Sequence, residues 1–287
     1  MQENKRFNKE ILVKNIFIKR IKISHEIFKI LEKRQDAYPL ALKWVKEWLD
    51  DRKFIIKDSD KQTIRDLIDN PYIKIKNKDL KEKMKSQLEL LLEKISGKQN
   101  NVGFAISFYL FTWNIRRFED YFITNNNFLL LNYFEKVGNE LEKLKDQFQY
   151  FKDKHLIYEN KINENKVRKI YQDVQNILKS AGKGDNEPVG TIKLLHIFSP
   201  YYFPLLDNPI AEQMGLKKHD NDKIDNEKYI TWMKVLKNWL ENYKDVIPDL
   251  ENKYGYSILK LVDEGFYIMC SMNLRNRINR LGIKNKI

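Results

Sequence analysis

Apolar residues recur at i, i+3 and i+4 spacing along most of the chain, and only 10 Gly and 7 Pro interrupt 287 residues. That spacing gathers apolar side chains on one face of a helix, so the pattern predicts an all-α fold. Residues 38–50 (YPLALKWVKEWLD) and 79–96 (DLKEKMKSQLELLLEKIS) read as amphipathic helices. Residues 102–123 (VGFAISFYLFTWNIRRFEDYFI) are the most apolar stretch and are expected to form a central buried helix with its charged end at a surface or cleft. Helices are expected over 127–152 and 164–180, then a break at 182–190 and a short helix beginning near Thr191. Residues 208–216, 227–244 and 254–273 complete the set. The polar runs GKQNN at 97–101 and KKHDNDKIDN at 217–226 read as loops.

Charge adds a partner to this picture. The chain carries 53 Lys and Arg against 40 Asp and Glu, a formal net charge of +13. Such an excess favours a polyanion, because each neutralised phosphate releases a counterion. Compositional bias toward Lys, Asn and Ile would raise the lysine total without a function. It would not produce arginine clusters such as Arg116 with Arg117 and Arg275 with Arg277 and Arg280. The single cysteine, Cys270, excludes a disulfide framework or a cysteine-ligated zinc or iron–sulfur site within one chain. No cofactor and no metal is implied. The N-terminus lacks the long apolar core of a signal peptide. No segment approaches the roughly 20 apolar residues of a membrane span, so a cytoplasmic protein is expected.

The chemistry-bearing residues concentrate between Glu187 and Leu216. Gly182, Gly184 and Gly190 give a connection the freedom to approach a phosphate closely, and exposed amides at a helix start can hold one. Lys193 follows in the first turn of TIKLLHIF; a lysine amine becomes a nucleophile when desolvation or a neighbouring cation lowers its pKa. It can equally be one surface lysine among many. Asp207 precedes Asn208 and Pro209, an ordinary helix cap, and a carboxylate there could also stabilise cationic charge developing on a sugar. Trp113 and Asn114, with Arg116 and Arg117, end the apolar run as either a core tryptophan with solvated arginines or a tip that enters a duplex. Asp263 and Tyr267 stand one helical turn apart, where a carboxylate and a ring could hold a flipped base, or where the ring is simply core. The letters Pro248, Asp249, Glu251 and Lys253 do not make a nuclease site. Their carboxylates are too close in sequence and the context looks helical.

These blocks, in order and approximate spacing, resemble the helix-hairpin-helix DNA glycosylase superfamily over roughly residues 100–270. Trp113 and Asn114 look like the family's gap-filling helix. The segment from Gly182 to Lys193 resembles its hairpin and the catalytic lysine of bifunctional members. Asp207, after Pro204, resembles its essential aspartate. Asp263 and Tyr267 look like the Asp-x-x-x-Trp of archaeal-type 8-oxoguanine glycosylases, with Tyr for Trp. The resemblance implies a two-lobed fold with a helix-hairpin-helix-like element and a cleft. It implies a monomeric enzyme that flips a base out of double-stranded DNA and excises it. Asp207 would support departure of the base, and Lys193 would form a Schiff base if a lyase step follows. An oxidised purine is the implied substrate, or a bulky base such as glycosylated cytosine in phage DNA, with an anti-phage role. The expected division is a basic N-terminal helical segment, 1–96, packing with the C-terminal lobe 206–287, and a helical barrel lobe, 97–205. The alternatives are a non-catalytic helical DNA-binding module and a helical interaction or toxin–antitoxin-type protein.

Overall fold

The computed structural model describes residues 2–31, 37–52, 55–69, 78–95, 102–113, 129–182, 186–218 and 222–271. Among them every regular element is helical, and the fold is all-α. In chain order the helices are α1 (Gln2–Leu31), α2 (Tyr38–Leu49), α3 (Asp58–Asp69), α4 (Lys78–Ile95), α5 (Val102–Trp113), α6 (Leu129–Glu142) and α7 (Lys145–Lys152). They continue as α8 (Glu164–Ala181), α9 (Pro188–Phe198), α10 (Asn208–Gln213), α11 (Asn226–Leu240), α12 (Ile247–Tyr254) and α13 (Ile258–Phe266). A 3₁₀ turn, Glu241–Tyr243, follows α11, and a π-helical turn, Tyr267–Ser271, continues from α13. No described helix is long and apolar enough to cross a membrane.

The chain divides into two compact units. One comprises Lys33–Asp153 and Lys169–Ser199; the other comprises Met1–Glu32, Lys154–Arg168 and Pro200–Ile287. Residues 1–32 therefore group with the C-terminal residues, and 33–96 with the stretch that follows them.

The first unit is built around α5. Its sequence is apolar on every side, so it has no face for water, and Val102 to Thr112 are all buried. On α2 the buried residues are Tyr38, Ala41, Trp44, Val45, Trp48 and Leu49, the i, i+3, i+4 stripe that amphipathic spacing dictates. That stripe meets α5 through Trp44 and Phe104, whose ring centroids are 5.6 Å apart. The Ala37 amide donates to Thr112 Oγ1 at 3.0 Å. The rings of Phe148 and Phe198 stack at 3.8 Å and tie α7 to α9.

Helices α5 and α6 approach so closely that a Cβ on Gly103 would lie 2.1 Å from the Phe134 carbonyl oxygen and 2.5 Å from Gly138 Cα. Both obstacles are backbone and cannot rotate away. Gly103→Ala is therefore expected to cost about 3 kcal/mol, the upper end for overpacking a core. Urea unfolding measures this, and an unchanged midpoint would contradict the close crossing.

In the second unit α1 packs on α13. Phe17 stacks on Tyr243 at 4.0 Å and meets the edge of Trp239 at 5.7 Å. His25 Nδ1 and Glu264 Oε2 are 2.7 Å apart, both buried, and among the described residues His25 Nε2 has no hydrogen-bond partner. Gly255, in the left-handed region at φ 69°, closes α12, and Ser257 caps α13 by accepting from the Lys260 amide at 3.2 Å. The helix expected over 254–273 starts only at Ile258 and continues through the π-helical turn to Ser271, because Gly255 closes the preceding helix and Ser257 caps the next; residues 272 and 273 lie outside the described residues. The helix expected over 127–152 is two helices from Leu129 on, parted at Lys143 and Leu144.

Candidate functional site

Helix α9 starts earlier than Thr191. Pro188 occupies its first turn, where a missing amide hydrogen costs nothing, and the Thr191 hydroxyl donates to the Glu187 carbonyl at 2.9 Å. Gly190 is consequently buried inside the first turn. Gly182 is half-buried at the end of α8, its amide donating to the Leu178 carbonyl at 2.9 Å. Gly184 lies outside the described residues.

Every residue from Gly190 to Ser199 is buried except Lys193. Its ammonium sits 4.3 Å from the ring centroid of Trp113, the last residue of α5 and half-buried. Two buried helices thus each bring one chemically distinctive side chain to a common point. Attraction of a cation to an indole face holds the pair together. Asn114, Arg116 and Arg117 lie outside the described residues.

Asp207 belongs to the other unit. Its backbone is extended (φ −106°, ψ 172°), and Oδ1 accepts from the Ile210 amide at 3.0 Å, capping α10. The segment that delivers it is fixed from behind. Tyr229 donates its hydroxyl to the Pro204 carbonyl at 2.9 Å, and Trp232 Nε1 donates to the Leu205 carbonyl at 2.9 Å. Sequence reading missed both contacts, because aromatics at this spacing on an amphipathic helix read as core.

Helix α10 packs against the π-helical turn that begins at Tyr267. Burial pushes the Cys270 thiol in that turn up, and the charge of Asp207 adds to the shift. Tyr267 is half-buried and turns its ring against the edge of Phe28, with centroids 5.8 Å apart. Its amide donates to the carbonyl of Asp263, so the two are one helical turn apart as expected. The Asp263 carboxylate is 3.4 Å from the Lys260 ammonium. Of the expected site residues, Lys193 meets Trp113, and the helix capped by Asp207 meets the turn that carries Tyr267. Each residue also has an ordinary structural contact: a cation over a ring, a helix cap, an ion pair and an aromatic edge.

No family model matches this chain, and neither does any curated protein or solved structure.

Proposed function

We propose that the protein is a DNA glycosylase of the helix-hairpin-helix type, which flips a damaged or modified base out of duplex DNA and excises it. The observation that carries this reading is the packing of the helix capped by Asp207 against the π-helical turn that begins at Tyr267. It brings the helix that an oriented carboxylate caps against the turn that carries Tyr267 and Cys270, and π-helical turns are frequent at functional sites. The carboxylate is held by the Ile210 amide, so it need not reorganise as positive charge develops on the sugar. Asp263 and Tyr267 receive the base. Gly182, Gly184, Arg116 and Arg117 serve the phosphates, and the charge of +13 supports a DNA partner. The two lobes, cleft and hairpin element implied by the resemblance belong to this reading.

Lys193 decides whether a lyase step follows. As a nucleophile it loses a proton and forms a bond to C1′ as the base leaves; the C1′–O4′ bond then opens, giving a Schiff base that is reducible. Borohydride then traps a protein–DNA adduct, and Lys193→Gln loses both adduct and strand nicking. With water as the nucleophile no adduct forms, and Lys193→Gln costs little beyond one positive charge. An adduct that persists in Lys193→Gln would put the nucleophile elsewhere.

A non-catalytic DNA-binding module is the second reading. One observation favours it: Lys193 and Asp207 both have structural roles, over Trp113 and at the start of α10. Incubation with duplexes carrying oxidised purines and glycosylated cytosines, scored for abasic sites, separates the two. Abasic sites support the glycosylase; bound but intact DNA supports the module.

A further inference from the structure

Helix α1 is apolar over more of its circumference than its own unit covers. Successive residues turn by about 100°, so Phe17, Ile21 and His25 share one side of the helix, and all three are buried. Leu12, Val13, Ile16 and Ile23 lie on the adjoining arc, and they are between 42 and 58 % exposed. From Leu12 to Ile23 this stripe runs about 16 Å, three helical turns. Isolated surface aliphatics need no explanation, but an aligned stripe beside a helix already packed on its other side does. Trp239 of α11, itself partly exposed, touches Phe17 at one edge of the arc and supplies the kind of aromatic that anchors interfaces.

The charges around the stripe say what would cover it. Between Ile11 and Lys29 the exposed charged residues are Lys19, Arg20, Lys22, Glu26 and Lys29. Glu26 is 4.0 Å from Lys22, so the remainder is positive. A second copy would set this basic rim against itself. An interfacial membrane helix buries its one apolar face in lipid, whereas α1 already buries Phe17, Ile21 and His25 within its own unit. Aliphatic anchors at helical spacing, rimmed by lysine and arginine, fit the helix-in-groove and coiled-coil modes of recognition.

We infer that the exposed arc of α1, with Trp239 at its edge, is a docking surface for an acidic amphipathic helix of a protein partner. Nonspecific DNA attraction would use the same cations but would not need the aliphatic stripe.

The test uses the full chain and a labelled synthetic helix with leucines at heptad spacing and glutamates beside them, followed by fluorescence anisotropy. A second peptide has lysines in place of the glutamates. Saturable binding of the acidic peptide is expected, with none of the basic one. Replacing Leu12, Ile16 and Ile23 together by Ser should weaken binding by about tenfold or more, the loss that truncating interface anchors brings. Lys19→Glu with Arg20→Glu should weaken it too, while circular dichroism and duplex-DNA retention of the Ser variant stay as in the unmodified chain. Four results would overturn the inference: no saturable binding, equal binding of the two peptides, Ser substitutions without effect, or loss of phosphatidylserine-vesicle binding or self-association as the only change they cause.

Discussion

Glu264→Ala is expected to lower the stability of the protein by about 3 kcal/mol, the scale for breaking a buried charged or hydrogen-bonded pair from one side. Among the described residues the carboxylate is the hydrogen-bond partner of the His25 ring at Nδ1, and Nε2 already lacks one. Removing it strands an imidazole between α1 and α13, beside Tyr254 and Tyr256. The pair also makes stability depend on pH. Burial raises the Glu264 carboxyl above its ordinary range, against the opposing charge of Lys260 and the hydrogen bond and charge of His25, while Asp263 adds to the rise. A carboxyl raised in the folded state contributes stability that is fully present below the ordinary carboxylate range and is lost as pH rises through the folded value. Glu264 therefore contributes a fall in the urea midpoint with rising pH, set against the rise contributed by the lowered carboxyls of Asp50, Asp58, Glu89, Glu227 and Asp245. In Glu264→Gln, which keeps an acceptor but cannot titrate, the fall should be smaller. Identical pH profiles would remove Glu264 as its source.

Asp207→Asn is expected to slow base release on the order of a thousandfold while DNA affinity and thermal stability hardly change. Asparagine caps a helix about as well as aspartate, so α10 keeps its start. On the proposed glycosylase reading, what is lost is a negative charge that acts on the sugar only as the bond to the base breaks. Removing one preorganised charge-stabilising group commonly costs that much. Single-turnover rates on saturating DNA check this. Base release unchanged in Asp207→Asn would assign Asp207 to the cap alone.

The helices that sequence revealed are those whose burial is one-sided or complete. The stripe of α2 and the uniform apolarity of α5 each state their environment directly. Helix α1 was not legible because its two apolar arcs, interleaved with lysines, blur the period. Helix α3 was not because its sequence is mostly polar, and Asp60 is buried in it as well as Ile64 and Leu67. Asp207 as a cap was legible from the Asn and Pro that follow it, since capping is local. The approach of Lys193 to Trp113 was not, because it depends on how α9 packs against α5. The His25 and Glu264 pair joins the two ends of the chain, and no local pattern records such a contact.

The most direct measurement of the central claim is mass-spectrometric detection of free base after incubating the full chain with duplexes carrying oxidised purines or glycosylated cytosines, beside Asp207→Asn at equal DNA occupancy. Base excision predicts one modified base released, with an equal number of abasic sites, by the unmodified chain and almost none by the variant. Tight DNA binding without released base, or equal release by both proteins, would contradict it.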